Sequence, residues 1–178
     1  MNNRSEGFTL LEVLLVVALL AIGLQFAFGL YQTAADDWSA DEAAALASEI
    51  DQRARAYYTF KDDYATPPIT TALVINEGLA PEQYVDRAGP TVVLPWGSNL
   101  TVEVNGTDYR QVIPVPVELC VRLISKVANR FWRIEVTDNG GGGAVDVKNV
   151  RTPTDYDPAV AIAACNQDQI PLVRLYGN

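Results

Sequence analysis

The run Gly7-Phe8-Thr9-Leu10-Leu11-Glu12-Val13, continued by apolar residues to Leu24, sets one carboxylate inside an otherwise oily stretch. A charge at the centre of a membrane helix costs roughly 2.5–3.5 kcal/mol on insertion scales, and a residue that carries this cost marks function with a specific partner. Glu12 therefore calls for a positive neighbour. An amine released by cutting the chain between Gly7 and Phe8 supplies one, as the N-terminus of a neighbouring copy packed against this helix. The apolar run extends from Val13 to Tyr31, interrupted only by Gln25. At 1.5 Å per residue it spans roughly 28 Å, close to the hydrocarbon core of a bilayer. An ordinary secretory signal, with an apolar region of about 7–15 residues, is too short to match. A plain single-pass anchor has the right length but no use for Glu12, or for Gly7 before Phe8.

A short polar leader with one basic residue (Arg4), then Gly, Phe, Thr, Leu, an apolar residue, Glu and a long apolar stretch resembles the N-terminus of type IV prepilins and pseudopilins. The resemblance implies that residues 1–7 are a leader, removed after Gly7 by a membrane-bound aspartic prepilin peptidase that also N-methylates Phe8. It implies that Glu12, fifth in the mature chain, brings new subunits into register during filament assembly. Many type IV pilins carry a helix-breaking proline in the membrane half of this helix; here Gly29 stands in its place.

Thirteen basic against twenty-two acidic residues give a net charge of -9. Such a surface repels phosphate, so direct nucleic-acid binding is not expected. Arg4 precedes the apolar run and the next basic residue is Arg53, an asymmetry that keeps the N-terminus cytoplasmic and sends the remainder across the membrane. Cys120 and Cys165 both lie in the exported part, where oxidising conditions favour a disulfide over two buried thiols or a two-cysteine metal site. By chain entropy a bridge of this span is worth roughly 4 kcal/mol.

No proline occurs between Phe8 and Phe60. Past the apolar run, Ala34, Trp38, Ala45, Leu46, Ile50, Ala54 and Tyr57 recur at helical steps, with acidic residues between them. The expectation is one helix with a membrane or filament-core half, residues 8–31, and an amphipathic half, residues 32–60. A globular head follows over residues 61–178. In it, residues 61–90 read as a connecting loop region with a short helix at Pro81 to Val85. Strands are expected at Thr91 to Leu94, Asn99 to Val104 and Tyr109 to Ile113, the last two joined by an Asn105-Gly106 hairpin turn. A helix at Val117 to Asn129 carries the first cysteine; strands at Phe131 to Thr137, Ala144 to Val147 and Ile170 to Tyr176 complete the pattern. The fold class is α+β, a long helical spine packed on an antiparallel sheet.

The region from Pro95 onward resembles type IVb pilins, including the thin-pilus subunits of conjugative systems. The resemblance is carried by Pro95-Trp96-Gly97 before a strand, and by Cys120-Val121-Arg122-Leu123-Ile124-Ser125-Lys126-Val127 as a helix opened by cysteine. An aromatic-containing strand, a Gly-rich turn, Val145-Asp146-Val147 and a second cysteine before the final strand extend it.

The chain has no histidine, and so lacks the commonest general base and metal ligand. It has neither a Gly-x-Ser-x-Gly elbow nor a Gly-x-x-x-x-Gly-Lys phosphate loop. No enzymatic role and no cofactor are expected, and Gly140 to Gly143 read as a turn. Asp155-Tyr156-Asp157-Pro158, with Asp146 or Asp168, offers hard oxygen ligands to calcium, but Asp157 capping a helix that opens at Pro158 is the simpler reading. Two sequons, Asn99-Leu100-Thr101 and Asn105-Gly106-Thr107, read as chance matches. Exposed aromatics such as Tyr57, Tyr58, Tyr64 and Trp96 would suit an adhesive or electron-transfer surface, although core or subunit contact is the commoner use.

The expectation is a structural subunit of a type IV pilus, a helical homopolymer for adhesion, motility, DNA uptake or conjugative contact. It would sit as a single-pass protein in the inner membrane before assembly and in an extracellular pilus afterwards. The resemblance implies four partners: the peptidase, an inner-membrane platform protein, an assembly ATPase and a secretin. The alternatives are a pseudopilin of a type II secretion system and a single-pass membrane-anchored exported protein.

Overall fold

The computed structural model describes residues 10–61, 63–138, 143–151, 155–168 and 170–177. The chain divides into two units, Met1–Asp36 and Asp37–Asn178. Helix α1, Leu10–Tyr58, contributes residues 10–36 to the first unit and 37–58 to the second. It is unbroken at Gly23 and Gly29, and the Thr33 hydroxyl donates to the Gly29 carbonyl at 3.0 Å. The helix ends at Tyr58; Thr59 and Phe60 form a turn.

In the second unit α1 is followed by α2 (Thr71–Asn76), a 3₁₀ turn (Glu82–Tyr84), and strands β1 (Val85–Asp86), β2 (Thr91–Val93), β3 (Asn99–Asn105) and β4 (Asp108–Pro114). Helix α3 (Val117–Val127), strands β5 (Arg133–Thr137) and β6 (Val145–Asn149), helix α4 (Pro158–Cys165) and strand β7 (Leu172–Gly177) complete it. Among the described residues the seven strands form one antiparallel sheet in the order β1-β2-β3-β4-β7-β5-β6. The last strand in sequence thus lies inside the sheet, pairing Val112 with Arg174 on one side and Glu135 with Arg174 on the other.

Helix and sheet enclose one core. Ala40, Ala43, Ala47, Ile50 and Ala54, spaced three or four apart, are fully buried on α1. The alternate strand residues Leu100, Ile113, Ile134, Val173 and Leu175 are fully buried from the sheet. The α1 face differs from the expected one: Ala34, Ala45 and Trp38 are exposed, Trp38 at 65 %. Alanines, with no side chain beyond Cβ, let the helix backbone approach the strands, so they line the contact and the bulky indole lies off it.

Two local corrections follow from backbone chemistry. Helix α2 lies in the stretch expected to be mainly loop; Thr70 starts it by accepting from the Leu73 N–H at 3.2 Å. The hairpin turns at Gly106 and Thr107 rather than at Asn105-Gly106, because Asn105 is still paired with Asp108. Gly106 has φ +67° and no described residue other than glycine has a positive φ, the pattern of a type II′ turn with glycine first.

Candidate functional site

The first unit offers an apolar helix with nothing over it. From Leu10 to Tyr31 the large apolar side chains that the structure describes are exposed, from 46 % at Val16 to 80 % at Leu10, and the one charge among them, Glu12, is exposed as well. Among the described residues this is the one helix long and apolar enough to cross a membrane. A helix with no polar face needs lipid or other helices around it. Gly7 and Phe8, the expected cut and methylation positions, lie outside the described residues.

The second unit is organised by polar contacts that hold α1 to its neighbours. The Tyr109 hydroxyl donates to Asp51 Oδ1 at 2.6 Å, and Arg55 Nε donates to Asp51 Oδ2 at 2.9 Å. Tyr109 is fully buried, and that burial, then the Asp51 carboxylate, pushes its phenol well above the ordinary value. Gln111 Nε2 donates to the Ala47 carbonyl at 2.9 Å, so β4 grips α1 at two successive inward positions. Tyr84 donates to Glu42 at 2.6 Å, and Arg53 to the Gly78 carbonyl at 2.9 Å. Arg122 and Lys126, one turn apart on α3, meet Asp37 and Asp41, one turn apart on α1, at 3.0 and 2.5 Å.

Cys120 and Cys165 form a disulfide across a sequence separation of 45. Both are fully buried. The bridge ties the first turn of α3 to the last residue of α4 and encloses β5 and β6 between its ends. Asp157 caps α4 by accepting from the Ala159 N–H at 2.8 Å, with Pro158 in the first turn. Among the described residues no group of three or more metal-ligating side chains could hold an ion. Lys148 donates to the carbonyls of Ala128 and Phe131, covering the end of α3, and its burial lowers the ammonium's pKa.

The far face of the sheet carries a cluster that the sequence did not bring together, although Asp146 was singled out in it for another reason. Glu135, 5 % exposed, accepts from the Tyr176 hydroxyl and contacts Arg133, which also pairs with Asp146 at 2.8 Å. Burial, then the Glu135 contact, raises the Tyr176 pKa. Tyr176 meets Glu135 only because β7 lies beside β5, a non-local pairing that leaves no local signal.

The Prokaryotic N-terminal methylation motif matches residues 2–24. Among solved structures, the crystal structure of TcpA, a type IV pilin from Vibrio cholerae El Tor biotype, superposes with a TM-score of 0.59 at 11 % identity, over 79 % of this chain and 99 % of that one. The chain has a type IV pilin fold. No curated protein matches it. That fold includes the long N-terminal helix, the antiparallel sheet and the C-terminal disulfide region. Residues 2–24, which match the methylation motif, include Gly7, Phe8 and Glu12.

Proposed function

We propose that the chain is a type IV pilus subunit of the type IVb kind, made as a membrane-inserted precursor and polymerised through residues 8–31. The observation that carries the reading is the exposed apolar helix bearing Glu12, which directly follows the cut point expected within the methylation motif. Cleavage between Gly7 and Phe8 frees an amine four residues before Glu12 in the sequence. The amine of an adjacent copy is free to meet the carboxylate, neutralising both charges where water is scarce. Apolar contact between the Leu10 to Leu24 surfaces then packs helix on helix.

The head supplies no reaction in this reading. Its disulfide and its α1 contacts keep a rigid body that the filament displays outside the cell. Processing requires a prepilin peptidase; extension and exit require a platform protein, an assembly ATPase and a secretin. The test is the intact mass of the chain in the fraction sheared from cell surfaces. A chain that begins at methylated Phe8 and carries one disulfide is the expected result. Retention of Met1 in the membrane, with none of the chain in the sheared fraction, would overturn it in favour of a static anchor.

A further inference from the structure

Four tyrosine rings run in unbroken contact from the end of α1 into the core. Centroid separations are 5.1 Å from Tyr57 to Tyr58, 4.8 Å from Tyr58 to Tyr64, and 4.9 Å from Tyr64 to Tyr109. The row begins at half-buried Tyr57 and ends at fully buried Tyr109. Its two ends carry opposite chemistry. At the outer end the Lys61 ammonium stands 3.7 Å from the Tyr57 ring centre and 4.8 Å from that of Tyr58. At the inner end the Tyr109 hydroxyl donates to the buried Asp51 carboxylate at 2.6 Å.

A cation over an aromatic face stabilises the neutral ring and opposes removal of an electron from it. A carboxylate hydrogen-bonded to a phenol does the reverse, because it accepts the proton that an oxidised phenol must shed. Tyr58 has only the Pro67 carbonyl as acceptor, at 2.5 Å, and a carbonyl is a poor base. Tyr109 is therefore the easiest of the four to oxidise, and half-buried Tyr57, at the outer end of the row, meets the oxidant, as half-buried Tyr64 also can. We propose that this row is a directional path for electron holes, carrying an oxidising equivalent from Tyr57 at the surface to a trap formed by Tyr109 and Asp51.

The balance is simple. A one-electron oxidant takes an electron from Tyr57, which releases its phenolic proton to water. Electrons then pass outward ring by ring, and Tyr57 recovers a proton as it is reduced. Tyr109 finally gives its electron to Tyr64 and its proton to Asp51 Oδ1, leaving a neutral phenoxyl radical beside a neutral carboxylic acid. Burial of both partners keeps that radical from water and from other chains. The path needs only the head, so it stands or falls separately from the filament reading.

The test uses the full chain in detergent micelles with photogenerated tris(bipyridine)ruthenium(III) as the oxidant, following the tyrosyl absorption band. In the wild type the radical should be long-lived. Tyr109→Phe keeps the ring and removes the trap, and should shorten the lifetime about tenfold, which corresponds to ~1.4 kcal/mol of lost barrier to decay. Tyr64→Leu keeps the trap but breaks the row, and should shorten it equally. Circular dichroism and an intact disulfide verify that both variants are folded. A lifetime unchanged in either folded variant would overturn the proposal.

Discussion

Gly177 lies against the Tyr109 ring so closely that a Cβ built on it would stand 2.2 Å from Cε1 and 2.5 Å from the hydroxyl oxygen. The two residues face each other across the β4–β7 pairing. Glycine is needed here for space, since its backbone φ is not positive. Gly177→Ala must push a fully buried ring, and overpacking of this sort costs about 1–3 kcal/mol. Urea unfolding should show that loss, together with weakening of the contact between Tyr109 and Asp51.

Removing the disulfide should destabilise the second unit strongly. For a separation of 45 residues, chain entropy assigns roughly 4 kcal/mol. A Cys120→Ser, Cys165→Ser double variant is expected to lose about 2–4 kcal/mol, measured by thermal unfolding of oxidised wild type against the variant. The loss should be largest in hydrogen exchange of β5, β6 and α4, which lie within the closed loop.

The tyrosines predict how stability ends at high pH. Tyr109, Tyr64 and Tyr176 all have pKa values raised in the folded state, first by burial. Above the ordinary phenol pKa of about 10 the unfolded chain sheds protons that the folded one retains, so stability falls as pH rises further. Lys148, lowered by burial, contributes the opposite sign near its own pKa. Tyr58, Tyr84 and Tyr156 are raised in the same way, so one lysine against six phenols leaves a net alkaline loss, and Tyr109→Phe should flatten the slope of unfolding free energy against pH above 10. An unchanged slope would show that Tyr109 ionises as readily in the native state as in the unfolded one.

Glu12→Ala should leave a processed, membrane-inserted and folded pool but few surface fibres. Electron microscopy of sheared material, alongside immunoblots of membranes, checks both halves of the expectation. Normal piliation would remove the assembly role from the carboxylate.

The rungs between α3 and α1 are expected to matter little for stability. The Asp41 side chain is 65 % exposed and that of Lys126 28 %, and ion pairs so open to solvent are worth about 0–1 kcal/mol. Lys126→Ala should shift the unfolding midpoint only slightly, far less than loss of the disulfide.

Much of this architecture was legible in the chain. Period-3.6 apolar spacing marked α1 and α3, alternation marked β3, β4 and β5, and Asp157-Pro158 marked the start of α4. The limits have physical causes. Helix α2 has six residues, too few for a periodic signal, and stands on one threonine cap. Trp38 misled because size was weighed over closeness of approach, which alanine provides. The expected Asn105-Gly106 turn moved by one residue because a single positive φ, at Gly106, meets the need of a type II′ turn. Beyond the β3–β4 hairpin the strand order could not be read, since the neighbours of β7 are set by pairings with strands far away in sequence. The pairs Asp51 with Tyr109 and Glu135 with Tyr176 were hidden for the same reason.

Strand β7 bridges two halves of the sheet that do not otherwise touch through backbone pairing. Without Leu172–Gly177 the sheet falls into two pieces, β1 to β4 and β5 with β6, that share no ladder. The two pieces therefore join only once β7 is in place, and a chain clipped before Leu172 is left with the facing edges of β4 and β5 unpaired, open to pairing with another chain.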